Sequence, residues 1–131
     1  KRLLRNREEW PDVRGAAAEA LVQINPADKE LIVLLDQALR DERAMVRVKA
    51  ARAGWHLGAQ PDKLLPVLTN ALGHQLASVR VVALEVLSEM TTAASPAREE
   101  ILRRLTDDRH AVRQAATNAL EKIDRKPMAE F

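Results

Sequence analysis

The side chains with the most chemistry to offer are three histidines, His56, His74 and His110, in a chain of 131 residues that has no cysteine. A helical metal site pairs imidazoles four positions apart on one face, and no two of these histidines have that spacing. Without cysteine there is no disulfide framework, thiolate zinc site or cysteine nucleophile. The glycines Gly15, Gly54, Gly58 and Gly73 are scattered, so no glycine-rich loop is present to cradle a phosphate. The residue inventory therefore predicts no catalytic centre, no metal, no cofactor and no small-molecule substrate.

Composition narrows the class further. Hydrophobic residues make up 47% and charged residues 31% of the chain, enough apolar material for a core and too many charges for a membrane span. Lysine and arginine total 21 against 19 acids, a formal balance of +2 that requires no polyanionic partner. The strongest apolar run, Leu31 to Leu35, is far too short to cross a bilayer, and the residues before it do not form the uninterrupted apolar core of a signal peptide. Cytoplasm is the default reading of the compartment, with export following where a parent chain carries a signal peptide. Aromatic residues are confined to Trp10, Trp55 and Phe131, while alanine and leucine abound, a bias that disfavours sheets.

The elements that position these residues come from a repeat. Val-Arg recurs at Val13-Arg14, Val46-Arg47, Val79-Arg80 and Val112-Arg113, each 33 residues after the last. Four residues beyond each valine stands an alanine, namely Ala17, Ala50, Ala83 and Ala116, and eleven beyond it Ile24, Leu57, Met90 and Ile123. These offsets share one face of a 3.6-residue helix, so each repeat carries one amphipathic "second" helix. Upstream, Leu31, Leu35 and Leu39 recur as Leu64, Leu68 and Leu72 and as Ala97, Ile101 and Leu105, which defines a "first" helix. Asn25-Pro26, Gln60-Pro61 and Ser95-Pro96 read as a capping residue followed by proline at the first helical position, where its missing N–H costs nothing. A constant short turn joins each pair, so the helices run antiparallel. Such hairpins cannot bury their apolar faces alone and stack into a solenoid. The expected fold is an all-α, right-handed solenoid of four hairpins forming one domain, 1–131, with repeats at about 1–24, 25–58, 59–91 and 92–124.

The ankyrin and tetratricopeptide signatures are absent, whereas Asp41…Val46-Arg47…Ala50-Ala51 and Asp107…Val112-Arg113…Ala116…Ala119-Leu120 resemble HEAT repeats, in the short form of phycobilin lyase-like proteins. The resemblance covers the whole chain. It implies a ladder of hydrogen bonds between successive repeats, drawn from the turn positions Glu8, Asp41, His74 and Asp107 and from Arg14, Arg47, Arg80 and Arg113. His74 breaks the acidic pattern: either it accepts a hydrogen bond as neutral imidazole, or the ladder weakens there. His74 and His110 fall in consecutive turns near Asp107 and Asp108, which we read as surface loop residues rather than a cation site. HEAT-like deoxyhypusine hydroxylases hold iron through His-Glu dipeptides, and this chain has none.

The two ends differ. In the fourth repeat Arg98, Glu100 and Arg104 replace the apolar residues of earlier first helices, the polar outer face expected of a C-terminal cap. A tail, 125–131, loosens from Asp124, and Pro127 forbids further helix. At the other end only Leu3 and Leu4 remain of a first helix, so the chain is expected to be the C-terminal part of a larger protein.

Three functional classes follow from the resemblance. The leading one is a non-catalytic protein-interaction or scaffolding module that binds another protein or an upstream domain of its own chain. The second is a C-terminal accessory domain of a larger bacterial enzyme, sulfatases among them. The third is a nucleic-acid-binding domain, suggested by Lys1, Arg2, Arg5 and Arg7 and weakened by the adjacent Glu8 and Glu9. In a HEAT-like stack the second helices line the concave side, at offsets two, five, six and nine from each valine. Repeat four is polar there, with Gln114, Thr117, Asn118 and Glu121. Repeats two and three instead place Val48, Ala51, Arg52 and Trp55, then Val81, Leu84, Glu85 and Ser88. Val48, Arg52, Trp55, Val81, Leu84 and Glu85 are thus the candidate binding surface, set against the simpler reading that they fill seams between helices. On this phase Ala51 is exposed. Gly54 replaces a core leucine, so a large neighbour is expected to press on its bare backbone.

Overall fold

The computed structural model describes residues 29–125, all of whose regular structure is helical. The first repeat, including Trp10, Arg14 and Ala17, and the Asn25-Pro26 cap lie outside the described residues. The chain clusters into two compact units, Lys1–Val67 and Leu68–Phe131.

In the first unit α1 (Lys29–Leu39) packs against α2 (Ala44–His56) across a short polar turn, which makes them an antiparallel hairpin. Leu35, Ala38, Val46, Ala50 and Ala53 form the core of this pair, with Leu39 and Leu57 packed against it. Ala50, Ala53 and Leu57 are the positions that the offsets from Val46 select, and Leu35 and Leu39 belong to the apolar series of the first helix. Helix α2 ends in a Schellman motif: the Gly58 N–H donates to the Trp55 carbonyl at 3.1 Å and the Ala59 N–H to the Gly54 carbonyl at 2.9 Å. Gly58 takes φ of 84°, a conformation that favours glycine. One of the glycines that looked scattered is therefore a helix stop.

Gly54 has the large neighbour its sequence position requires. A Cβ placed on it stands 3.0 Å from Leu64 Cδ2, 3.5 Å from Leu35 Cδ2 and 3.7 Å from Ala59 Cβ. Leu64 belongs to α3 (Pro61–Ala71), which opens with Pro61 at its first position, as the Gln60-Pro61 pair predicts. Pro66 lies inside α3 and forfeits one backbone bond there.

In the second unit α4 (Ala77–Met90) packs beside α6 (His110–Asp124), and between them the chain runs through 3₁₀ turns and a short helix, α5 (Arg98–Arg103). Ala83, Val86, Leu87 and Met90 of α4 and Val112, Ala116, Ala119 and Ile123 of α6 are buried, again the faces set by the valine register. Ala83 and Ala116 are fully enclosed. Ala83→Leu is expected to lower stability by about 2 kcal/mol through overpacking. Ala51, expected on this phase to be exposed, is fully buried. Ala111 is exposed: Ala111→Leu should leave the thermal melt almost unmoved, and equal losses in the Ala83 and Ala111 variants would refute the helix phase.

The first helix of the fourth repeat departs from expectation. Residues Thr91–Ala97 form a 3₁₀ segment that contains Pro96, and α-helix starts only at Arg98. Proline has no N–H to donate and pushes its predecessor away from α geometry, so Ser95-Pro96 does not start an α-helix. A second 3₁₀ turn, Arg104–Thr106, advances the chain by three rather than 3.6 residues per turn. Ala97 and Ile101 stay buried, but Leu105, a predicted core position, is rotated out to 36% exposure.

Helix α4 stops at Thr91, whose φ of 51° and ψ of −127° are strained for a β-branched residue. Thr91→Gly should relieve this and raise stability by about 1 kcal/mol, visible as a melting temperature about 3 °C higher. A lower melting temperature would show that the Thr91 hydroxyl, which donates to the Met90 carbonyl at 2.7 Å, matters more than the strain.

Asp124 belongs to α6 rather than to a loose tail, since Arg98 grips both its carboxylate oxygens at 3.0 Å. Hydrogen bonds to Arg98, followed by its charge, hold the Asp124 carboxyl below its ordinary pKa. Residues 126–131 lie outside the described part. Arg104 also differs from an outward-facing cap residue: its Nη1 donates to the Leu72 carbonyl at 3.1 Å, closing the end of α3.

Candidate interaction face and inter-helix turns

The three described inter-helix turns share one wiring. In each, the side chain of the turn residue accepts the N–H two positions on: Asp41 Oδ1 from Arg43 at 2.8 Å, His74 Nδ1 from Leu76 at 3.0 Å, Asp107 Oδ1 from Arg109 at 2.9 Å. In each, the arginine six positions on donates through Nη1 to the turn residue's own carbonyl at 2.7 Å: Arg47 to Asp41, Arg80 to His74, Arg113 to Asp107. Sequence spacing suggested that the arginines and acids were related, but not that the partner within a repeat is a backbone carbonyl. A carbonyl is present whatever the side chain, which is why His74 is tolerated. Its imidazole stands in for the aspartate as the acceptor of the turn's own N–H.

Between the third and fourth repeats, within the second unit, the contact is ionic. Arg80 Nε lies 3.0 Å from Asp107 Oδ2 and Nη2 donates to Oδ1 at 3.2 Å, both side chains being buried. Burial works against the Asp107 charge, yet the Arg109 N–H and the Arg80 guanidinium outweigh it and hold the carboxyl below its ordinary pKa. Arg14 lies outside the described residues.

The candidate surface is only partly a surface. Val48, Ala51 and Leu84 are fully buried, so the continuous apolar strip drawn from Val48, Val81, Leu84 and Trp55 does not exist as an accessible patch. An apolar side chain on a second helix face gains more from packing than from exposure to water, and helical periodicity cannot say what covers that face. Arg52, Trp55 and Val81 are half-buried and Glu85 is exposed.

What remains open on this face is a groove of about 370 Å³ between α4 and α6, lined by Val81, Glu85, Ser88, His110, Gln114 and Asn118 with Ala111 and Ala115. All but His110, Ala111 and Ala115 sit at offsets two, six or nine from Val79 and Val112. Gln114 and Asn118 join through a 3.3 Å amide hydrogen bond. A second hollow, of about 270 Å³, lies in the first unit between Ile32, Asp36, Leu39, Leu57 and Lys63. Among the described residues no three of His, Asp and Glu gather closely enough to hold a metal ion, and no helix is long and apolar enough to cross a membrane.

Helices paired through the same turn wiring at a 33-residue period describe a known repeat class, and the HEAT repeat family model matches residues 31–121. The chain is a HEAT repeat protein. No curated protein matches it closely enough to lend it a narrower description. HEAT repeats are helical hairpins that commonly mediate protein interactions and are generally non-catalytic. In this HEAT protein the valine register supplies the core face, and the turn arginines supply the clamps.

Proposed function

We propose that this chain is a non-catalytic protein-interaction or scaffolding module, and that it presents the concave side lined by its second helices to a protein or to a further domain of the same polypeptide. The observation that carries this reading is the α4–α6 groove, which opens on the face that the repeat register sets opposite the core. Its lining mixes one half-buried valine and two alanines with amides, a hydroxyl, a carboxylate and the His110 imidazole, a polar composition like that of an interface rim. The short phycobilin lyase-like subtype stands with this proposal on the 33-residue period.

The test is photo-crosslinking in the cells of origin. A photoreactive residue at Asn118 or at Ser88 should capture the same discrete protein, or a fixed segment of the parent chain, while one at Glu99 on α5 captures nothing. Capture from Glu99 alone would overturn the proposal. Trp55 and Arg52 belong to the same register, and tryptophan and arginine dominate binding hot spots. With the captured protein in hand, Trp55→Ala is expected to weaken binding by about 2 kcal/mol, roughly 30-fold, in a calorimetric titration. Unaltered affinity with a large loss of thermal stability would assign Trp55 to packing.

A further inference from the structure

The lining of the α4–α6 groove carries a hydrogen-bonding pattern that selects the form of its occupant. Helices α4 and α6 lie side by side, and Arg80 near the start of α4 pairs with Asp107 just before the start of α6, so the two run in the same direction. The groove follows them from Val81 to Ser88 on one wall and from His110 to Asn118 on the other. At the helical rise per residue that is a length of about 11 to 12 Å, which matches three to four residues of extended chain at about 3.3 Å each.

On the α6 wall, Gln114 Nε2 donates to Asn118 Oδ1 at 3.3 Å. That bond orients the two exposed amides together and leaves Gln114 Oε1 to accept and Asn118 Nδ2 to donate. Ala111 and Ala115 line the same wall and carry nothing beyond Cβ, so a main chain meets no obstruction as it approaches α6. The carboxylate in the lining is Glu85, on the α4 wall, and the lining holds no lysine or arginine.

We infer that this groove binds an extended peptide segment bearing lysine or arginine, whose main-chain N–H and C=O groups pair with Gln114 Oε1 and Asn118 Nδ2 and whose cationic side chain reaches Glu85. The inference rests on the interaction-module reading above and adds the chemistry of the partner to it. An extended segment has main-chain donors and acceptors still to be paired. An α-helix has used its own internally, and at a diameter of about 10 Å it covers the groove without entering it. A purely apolar partner would strand both amides when it covered them, and an acidic one would meet Glu85 with like charge.

The test uses the 131-residue chain and a displayed library of random linear decapeptides. The selected peptides should carry net positive charge. When the tightest of them is synthesised and added, the side-chain amide signals of Gln114 and Asn118 should shift in a nitrogen–proton NMR spectrum, while the Glu99 amide on α5 stays in place. Gln114→Leu and Asn118→Leu alter exposed positions and should leave the thermal melt unmoved, yet each should weaken this peptide about tenfold. N-methylation of alternate peptide amides, which removes main-chain donors and keeps every side chain, should weaken it by at least as much. Glu85→Gln should erase the preference for the basic peptide over its glutamate-substituted counterpart. Selection of acidic peptides, a peptide that turns helical when bound, no selected peptide that shifts the two amide signals, or unchanged affinity in both leucine variants would overturn the inference. None of these outcomes decides the broader reading, which stands or falls with the crosslinking at Ser88 and Asn118.

Discussion

Gly54→Leu is expected to destabilise the protein by about 3 kcal/mol, although leucine is the residue that the repeat pattern favours there. The equivalent positions hold Leu21, Leu87 and Leu120, so a consensus argument would place leucine at 54 and expect a gain. The local packing reverses that sign. Leu64 Cδ2 already stands 3.0 Å from where the first added carbon would sit, and Leu64 is fully buried with little room to give. Three further carbons then meet Leu35 and Ala59 as well. Restoring helix propensity returns only about 1 kcal/mol. Urea melts of Gly54→Leu, Leu64→Ala and the double variant separate the effects. Leu64→Ala alone should cost about 3 kcal/mol as a cavity, and the double variant about 2 kcal/mol less than the sum, because each change makes room for the other. Simple additivity would show that the two side chains do not compete for one space.

Asp107→Ala is expected to cost about 4 kcal/mol. It removes the acceptor of the Arg109 N–H and strands the Arg80 guanidinium, which is only 8% exposed, beside two carbonyls and the more distant Asp108. Asp107→Asn keeps an acceptor oxygen and should cost about half as much. The pH dependence carries a definite sign. Since the folded carboxyl is held below its ordinary value, the stability it contributes is complete above about pH 4 and fades as pH falls through the depressed value. Denaturant melts from pH 7 to pH 3 should show this acid loss in the native chain and a shallower one in Asp107→Asn. Parallel curves would mean that another group carries the acid sensitivity.

These two sites show different degrees of legibility. The Asp107 and Arg80 pair was foreseeable in outline, because a 33-residue repeat puts like residues at like places and an arginine in every repeat serves the array. Its geometry was not, since the carbonyl clamp inside each turn uses backbone atoms that every residue shares. Gly54 was visible as an anomaly in the leucine column, and Leu64, Leu35 and Ala59 became its neighbours only through the fold. The α4–α6 groove was half-visible: the register set the residues on one face, but not which of them water reaches.

By itself the sequence determined that the chain is helical, where its second helices lie and which face of each is core, because a 3.6-residue period repeated every 33 residues leaves no other phase that buries Val46, Ala50 and Ala53 together with their counterparts. Tertiary structure alone decided the rest. Val48, Ala51 and Leu84 lie on the opposite face and are nevertheless buried, since an amphipathic pattern records that a second apolar side exists but not what will cover it. Leu105 turned outward because three residues of 3₁₀ geometry shifted a phase that the sequence could only extrapolate as α-helix. What covers an apolar face depends on contacts between residues far apart in the chain, and those energies are absent from any local reading of it.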